Sequence, residues 1–307
     1  MTSDWRPEIL EDVVRDLREK KLYLFAGAGL SNIAGYPLLK DLLRELANVY
    51  KNHPYRKPEI ASVADDLVED RSSNSLDIIQ HLIDLGESGS NAFVRVLQKN
   101  FEEERTSEVH RMLVKLPFAG YVTINFDRCL EKASGGIDGA EQLAADRWFC
   151  FPKHKFAPKK SLDGIYDGTR FLLHMHGCLY YEGRIDSQDI ILRREQYSKF
   201  YKSTVFNRIF REMFHRPFLI LGTSLSDTFF MNRLFEARGS HDCDVRAERK
   251  NCYVVLPKCE RRNTHVSDEE IYGIRFNYFD KNDKNAIEKM VKELKDVCEQ
   301  TVRVPPE

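Results

Sequence analysis

The chain has 307 residues and a formal net charge of -1, with 42% apolar and 31% charged residues. This composition is ordinary for a globular protein, and the near-zero charge gives no general attraction to nucleic acid or to an anionic membrane. No apolar run approaches the roughly 18 residues of a membrane-spanning helix, and the N-terminus lacks the basic start and apolar core of a signal peptide. We therefore expect a cytoplasmic protein without a membrane or nucleic-acid partner.

The seven cysteines form an odd set, and no two of them make a C-x-x-C pair. That spacing argues against a structural zinc site and against a disulfide framework. A reducing cytoplasm fits this usage, and we expect no bound metal. The cysteines are Cys129, Cys150, Cys178, Cys243, Cys252, Cys259 and Cys298.

The chain opens with a predicted helix, a strand, a glycine-rich turn and a second helix. Residues 7–20 space their apolar side chains as a helix does, and Pro7 suits the first turn. The short run 22–26, "LYLFA", is apolar throughout, as in a parallel strand that is covered on both faces. Helical periodicity returns over residues 38–50.

Residues 51–118 predict a helical insertion or layer, because several helical patterns follow one another there. We expect this segment to belong to a single domain that spans residues 1–307. Its amphipathic helices are candidate contact surfaces, and packing into the core is the alternative use.

Five further apolar runs predict the remaining strands, and a helix over residues 285–300 follows the last of them. Strands that alternate with helices imply a doubly wound, Rossmann-like α/β fold with a mainly parallel, six-stranded sheet. The five runs are 121–127, 171–177, 217–227, 251–257 and 273–279.

Four of the predicted strands end in small or polar residues, within "GAGLS", "TINFD", "HMHG" and "GTSLSD". In doubly wound sheets, ligands bind outside the carboxyl ends of the strands. A purely structural sheet has no need of four such ends, so the pattern predicts a ligand site at this edge of the sheet.

The glycine turn favours an anionic ligand. Gly27 and Gly29 lack the Cβ atoms that would keep a ligand away, and backbone N–H groups at the start of a helix attract a pyrophosphate. The usual dinucleotide fingerprint is incomplete, because Asn32 replaces its third glycine and no acidic residue follows at a second strand tip. The alternative is a helix cap, with Ser31 or Asn32 capping a helix over 33–50.

Taken together, these motifs resemble the sirtuin superfamily over roughly residues 7–280. "GAGLSNIAGYP" is similar to the family's phosphate loop, "TINFD" to its T-Q-N-I-D segment, "HG" to its catalytic histidine and "GTSL" to its ribose-contacting turn. The matching residues are Gly27, Ala28, Gly29, Ser31, Gly35, Pro37, Thr123, Asn125, Asp127, His176, Gly177 and 222–225.

The departures from the sirtuin pattern point away from protein deacylation. Sirtuin deacylases carry a zinc module with two C-x-x-C pairs, which this chain lacks, and "YPLLK" stands where they have I-P-D-F-R. Ile124 replaces their glutamine, and "SDTFF" replaces their peptide-binding segment. The run 191–201 and Asp227 resemble a bacterial branch of sirtuin-like proteins that hydrolyse NAD.

The resemblance implies an NAD glycohydrolase that yields nicotinamide and ADP-ribose, linear or cyclised, as a regulated effector of anti-phage defence. Because a constitutive NADase would kill its host, we expect control by homo-oligomerisation or by a separate subunit, such as a DNA-translocase-type ATPase or an Argonaute-like protein. The alternatives are a sensor that binds NAD or ADP-ribose without turnover and, third, a protein deacylase or ADP-ribosyltransferase.

The resemblance also implies which residues contact the NAD substrate. They are Gly27, Ala28 and Gly29 through their amides on the pyrophosphate, Ser31 through its hydroxyl, Gly222 and Ser224 at the adenosine ribose, and Asp127 at the nicotinamide carboxamide.

Two residues would carry the chemistry. Asn125 would orient the ribose hydroxyls and a water, and His176 would be the general base, since imidazole titrates near neutral pH. His174 is an open alternative, because strand alternation predicts that it faces the same side as His176. The choice rests on the following Gly177 and the family pattern. For Asp127, capping of the next helix is an equally open role.

Overall fold

The structure, a computed structural model, places the predicted strands and most of the predicted helices. Of the predicted insertion 51–118, residues 53–86 lie outside the described residues, so the insertion and the single-domain organisation stay predictions. The described residues are 4–52, 87–135, 148–150, 170–179, 190–192, 194–223, 228–239, 252–260 and 272–300.

The core of the fold is a seven-stranded sheet in which every strand pair is parallel. The strand order is β3-β4-β2-β1-β5-β6-β7, which confirms the predicted doubly wound α/β class. All six predicted strands are present, and a short edge strand, β3, joins them. The strands are β1 Tyr23–Ala26, β2 Gly120–Thr123, β3 Trp148–Cys150, β4 Leu172–His174, β5 Phe218–Leu221, β6 Cys252–Pro257 and β7 Ile274–Phe279.

Helices connect and cover the strands. Among the described residues, no helix combines the length and the apolar character that crossing a bilayer requires. The helices are α1 Pro7–Arg18, α2 Ala28–Ile33, α3 Leu39–Lys51, α4 Glu87–Phe101, α5 Glu108–Lys115, α6 Cys129–Gly135, α7 Arg194–Lys202, α8 Thr204–Phe214, α9 Thr228–Gly239 and α10 Ala286–Gln300.

Both faces of the sheet are buried, because successive strand residues point to opposite sides and each side carries apolar residues. Leu24 and Leu219 lie on the first face, in a cluster with residues of α1, α5, α6 and α10. Phe25 and Ile220 lie on the second face, against α7, α8 and α9. The continuously apolar strands therefore have the environment that their composition predicted.

A third apolar cluster joins α3 and α4 to the chain just beyond β2 and β4. Leu46 of α3 and Leu97 of α4 are fully buried in it, together with Cys129 and Leu179. Helix α5, by contrast, packs on the first face of the sheet. Within the described part of the predicted insertion, α5 thus belongs to the main core and α4 lies beside the strand ends.

The β1–α2 turn and the end of β5 approach each other so closely that only glycine fits. The N–H of Gly27 donates to the Leu221 carbonyl at 2.8 Å, and the N–H of Gly29 donates to the Gly222 carbonyl at 2.6 Å. A Cβ on Gly27 would lie 2.5 Å from the Gly222 oxygen. Gly222 itself has φ +73°, and a Cβ there would lie 2.5 Å from the Leu30 nitrogen. We call this contact the glycine junction.

Replacing Gly222 by alanine should destabilise the protein, because the new side chain meets backbone at a positive φ. We expect the free energy of unfolding to fall by at least about 2 kcal/mol, measured by denaturant or thermal unfolding. Gly135→Ala is the matched control, since a Cβ there meets no described atom within 4 Å. Equal stability of the two variants would contradict the junction's role.

Candidate active site

The carboxyl ends of β1, β2, β4 and β5 bring most of the predicted site residues together. Strand β1 lies between β2 and β5, and the chain winds away from β1 in both directions. This is the switch point at which doubly wound sheets bind ligands. Ser224 and Asp227, which follow β5, lie outside the described residues.

The side-chain amide of Asn125 is held in one orientation by two acceptors. Its Nδ2 donates to the Gly27 carbonyl at 2.9 Å and to the Ser31 hydroxyl at 2.7 Å. Its backbone N–H donates to Oγ1 of Thr123 at 3.0 Å, and that hydroxyl donates to the Ala26 carbonyl at 2.8 Å. The asparagine is thereby attached to the end of β1 through both its side chain and its main chain.

The other amide atom of Asn125 has no such support. Its Oδ1 is buried and, among the described residues, has no hydrogen-bond partner. An unmade hydrogen bond at a buried acceptor costs about 1–3 kcal/mol, and such atoms in folded proteins call for an explanation. Because Nδ2 is fixed, Oδ1 is a fixed acceptor for a group that the described residues do not supply.

Asp127 serves the protein on both of its oxygens. Its Oδ2 accepts from the Ser31 hydroxyl at 2.5 Å, and its Oδ1 accepts from the backbone N–H of Cys129 at 3.0 Å. The second bond pairs the first N–H of α6, so Asp127 supports the start of this helix from the residue before its N-cap position, Arg128. The predicted contact of Asp127 with the nicotinamide carboxamide stays a prediction. Burial and the Asp127 charge both raise the pKa of the Cys129 thiol, which is therefore neutral.

The alternative in which Ser31 or Asn32 caps a helix over 33–50 is wrong. Both residues lie inside the short helix α2, and α3 begins only at Leu39. Asn32 donates to the Tyr36 carbonyl at 2.9 Å and so closes the connection between the two helices. Ser31 is buried and joins Asn125 to Asp127, a link that no local pattern could show.

The β1–α2 turn requires glycine for a different reason from the predicted one. Gly27 and Gly29 were expected to leave room for a ligand, but a Cβ on either would meet the Gly222 backbone instead. Both of their N–H groups already donate to carbonyls of the β5 end. The proposed contact of these amides and that of Ala28 with a pyrophosphate stays a prediction.

The two histidines of "HMHG" lie on opposite faces of the sheet. Nε2 of His174 lies 2.9 Å from Oε1 of Glu131 on α6, which packs on the first face. Nε2 of His176 lies 2.9 Å from the Tyr201 hydroxyl on α7, which packs on the second. The prediction that both face the same side is wrong, because β4 ends at His174 and the chain then turns.

His176 is a buried, neutral imidazole. It is 2% exposed, and the rings of Phe200 and Tyr201 meet it edge to face. Burial lowers its pKa to about 3. A neutral ring is the form that a general base needs, but so low a pKa makes it a weak acceptor of protons. Tyr201 belongs to the run 191–201 that resembles the bacterial branch, although its contact with His176 was not foreseen.

Sequence patterns did not indicate Glu131 as a site residue. It lies on α6, six residues after Asn125, and reaches His174 across the ends of two neighbouring strands. Glu131, His174 and Cys178 each place one potential ligand atom within 4.8 Å of the others. No local spacing predicts this group, since the sheet alone brings α6 beside the end of β4.

Comparison with protein families agrees with this architecture. The model of the SIR2-like domain matches residues 119–276, just over half of the chain. The chain belongs to the SIR2-like family. The match begins next to β2 and includes Asn125, Asp127, His176 and Gly222, while the glycine turn at the end of β1 precedes it.

Several curated proteins are similar to this chain at low identity. The chain is 25% identical over 221 residues to the NAD(+) hydrolase ThsA of Acinetobacter baumannii (strain 532279), covering 71% of this chain and 39% of the relative. It is 25% identical over 265 residues to that of Cytobacillus dafuensis, covering 82% and 46%. It is 23% identical over 268 residues to that of Bacillus cereus (strain MSX-D12), covering 87% and 49%. The chain thus spans less than half the length of these relatives.

Acidification should destabilise the protein through two buried histidines. Burial lowers the pKa of His176 to about 3 and that of His110 to about 4, from an ordinary value of 6.5. Between pH 6.5 and these lowered pKa values, the unfolded chain binds more protons than the folded one, so the unfolding free energy rises with pH in this range. We expect the unfolding free energy to fall by a few kcal/mol between about pH 6.5 and pH 4.

Replacing one histidine isolates its share of this slope. His176→Gln should flatten the dependence of the urea-unfolding free energy on pH over that range. An identical slope in wild type and His176→Gln would contradict the neutral state of the buried ring.

Proposed function

We propose that the chain is an NAD+ hydrolase that cleaves the bond between nicotinamide and ribose. The observation that carries the proposal is the buried Oδ1 of Asn125, which has no hydrogen-bond partner in the described part of the chain and is fixed at the switch point of a SIR2-like sheet. A ribose hydroxyl or a water of the substrate complex would donate to it. The names of the curated relatives, NAD(+) hydrolases, support the same reaction.

The reaction needs an oriented sugar and an accessible water more than a strong base. Departure of nicotinamide leaves a ribosyl centre with oxocarbenium character, by analogy with other glycosyl transfers. Asn125 would hold the ribose hydroxyls and a water in line with that centre. The neutral His176, beside the Tyr201 hydroxyl, would accept the proton that the water loses. Because Oδ1 of Asn125 is closed to solvent, binding of NAD has to part the loops around it.

One observation favours the alternative of a non-catalytic sensor. His176 is buried on the second face and its pKa is low, which is a poor setting for a general base. A sensor would use the Asn125 network to bind NAD or ADP-ribose and would release no nicotinamide. Turnover therefore separates the two functions directly.

We further propose that the activity is regulated and serves anti-phage defence. This role comes from the bacterial branch that the sequence resembles. The chain covers 39% to 49% of its relatives, so the rest of their length has no counterpart in the matched region. Control would come from homo-oligomers or from a separate subunit, of the ATPase or Argonaute-like kinds expected above. An assay of NAD turnover would also identify the product as linear or cyclised ADP-ribose.

Replacing Asn125 by alanine should abolish turnover, because it removes both the fixed oxygen and the donor to Ser31. We expect nicotinamide release from NAD, followed by chromatography, to fall by about 100-fold or more. His176→Ala should also lower the rate, by about 100-fold. Asn52→Ala, at an exposed position, is the control and should match the wild type.

Thermal unfolding of each variant tests whether a loss of activity reflects loss of the fold. Folded Asn125→Ala protein with wild-type turnover would contradict the assignment. NAD binding by the wild type without nicotinamide release, also in the presence of an added regulatory subunit, would establish the sensor instead.

A further inference from the structure

The contacts around His174 are not used by the proposed reaction. The ring is 1% exposed at the end of β4. Its Nε2 lies 2.9 Å from Oε1 of Glu131, and its Nδ1 lies 3.1 Å from the backbone oxygen of Asn125. The ring therefore connects a carboxyl group on α6 to the main chain of the asparagine on which the proposed reaction depends.

These two hydrogen bonds require an extra proton. A carbonyl oxygen and a carboxylate only accept hydrogen bonds, and a neutral imidazole has a single N–H. Either His174 is an imidazolium beside a carboxylate, or a neutral ring lies beside a protonated Glu131. In both forms the pair holds one shared proton, and it cannot lose that proton without losing one of its two hydrogen bonds.

The surroundings stabilise the proton. Glu131 faces His174 from α6, Asp127 faces it from the turn after β2, and the Cys178 thiol lies nearby after β4. Nε of Arg128 is 3.9 Å from the same Glu131 oxygen. Burial lowers the pKa of His174, but the Glu131 charge and the hydrogen bonds outweigh it, and the net pKa is raised. The pair therefore keeps its proton to a higher pH than an isolated imidazole does, and the proton is lost as the pH rises through the raised pKa.

Asn125 depends on this bond because the sheet no longer supports it. The register of β2 with β4 ends at Thr123 and His174. Beyond it, the N–H of Asn125 is held by a threonine side chain and its carbonyl by the histidine ring. Loss of the second bond removes the contact that fixes this carbonyl, and a tilt of the peptide would displace the Asn125 side chain. A displacement of about 1 Å in a catalytic group can cost about 100-fold in rate.

We propose that Glu131 and His174 form a positioning pair that holds Asn125 in its working orientation through its backbone carbonyl, and only while the pair keeps its shared proton. The inference rests on the proposed NAD hydrolysis. The competing use of the same atoms is a metal site made by Glu131, His174 and Cys178. The pair is favoured because both nitrogens of His174 already make hydrogen bonds within the protein.

The pH dependence of turnover tests the positioning pair. For the wild type, kcat for nicotinamide release should fall at alkaline pH. Glu131→Gln keeps the shape but removes the charge, so the alkaline limb should move down by at least about one pH unit. Its kcat at pH 7.5 should fall roughly 10- to 100-fold with little change in KM. Glu104→Gln, which removes a carboxylate 2.9 Å from Arg128, is the matched control and should behave as the wild type.

A conservative replacement of the histidine should rescue the rate. In His174→Asn, the side-chain amide can still donate to the Asn125 carbonyl but does not titrate. We expect it to keep most of the wild-type kcat and to lose the alkaline limb, whereas His174→Leu should lose activity. An alkaline limb that is the same in wild type, Glu131→Gln and His174→Asn would overturn the inference.

Nuclear magnetic resonance follows the proton independently of turnover. In labelled protein, with His174 assigned from His174→Asn, the pair should carry its shared proton at pH 7, either as an imidazolium ring or as a protonated Glu131 carboxyl beside a neutral ring. Its titration should move to lower pH in Glu131→Gln, and the side-chain amide signals of Asn125 should follow the same titration. These signals together would support the pair even if neither the wild type nor any variant released nicotinamide. Such a lack of turnover would contradict only the proposed reaction.

Two results would overturn the positioning pair whether or not NAD is cleaved. One is a neutral His174 ring beside an ionised Glu131 carboxylate at pH 7, or Asn125 signals that do not respond to the titration of the pair. The other is stoichiometric zinc in the purified protein that is lost in Cys178→Ser, since the ring would then bind metal instead of a shared proton.

Discussion

The site depends on the close approach of the β1–α2 turn to the end of β5. Gly27 and Gly29 donate their N–H groups to carbonyls of the β5 end, at a separation that a Cβ on Gly27, Gly29 or Gly222 would prevent. The same turn leaves the Gly27 carbonyl facing β2, where Nδ2 of Asn125 binds it at 2.9 Å. The glycines therefore fix the framework on which the asparagine is held. Side chains at these positions would displace the site before they displaced any ligand.

Around this framework, the buried side-chain polar atoms of the described residues have hydrogen-bond partners, apart from Oδ1 of Asn125 and, near α6, Nε of Arg128 and Oε2 of Glu131. Ser31 and Asp127 use their oxygens on one another, on Asn125 and on the start of α6. His174 at the end of β4 and His176 just beyond it are both buried, but their pKa values shift in opposite directions. His174 has the Glu131 carboxyl beside it, whereas His176 has a phenol and aromatic rings. The site thus combines a fixed acceptor, a proton held by an acidic partner and a neutral ring.

Periodicity and composition predicted the fold because they report burial. Continuous apolar runs indicated strands covered on both faces, and the order of strands and helices indicated the doubly wound sheet.

The same reasoning failed where the outcome depended on contacts between distant segments. Gly27 and Gly29 were interpreted as leaving space for a ligand, because the backbone that they contact, at Gly222, lies almost 200 residues further along the chain. Alternation placed His174 and His176 together because no local signal showed that β4 ends between them. Glu131 carries no motif and is recognisable only once α6 lies beside β4. The sirtuin-like motifs indicated Asn125, but only the three-dimensional structure shows that its Oδ1 has no partner among the described residues.

A crystal structure of the His176→Ala variant with NAD bound would test the central claim most directly, because slow turnover should preserve the substrate. We expect a ribose hydroxyl, or a water beside the ribosyl C1 atom, within about 3.2 Å of Oδ1 of Asn125. The Nδ2 bonds to Gly27 and Ser31 should be retained. An NAD molecule bound away from the β1–β2 strand ends, or an Oδ1 paired with a protein group while NAD is present, would contradict the claim that this oxygen is the substrate's anchor.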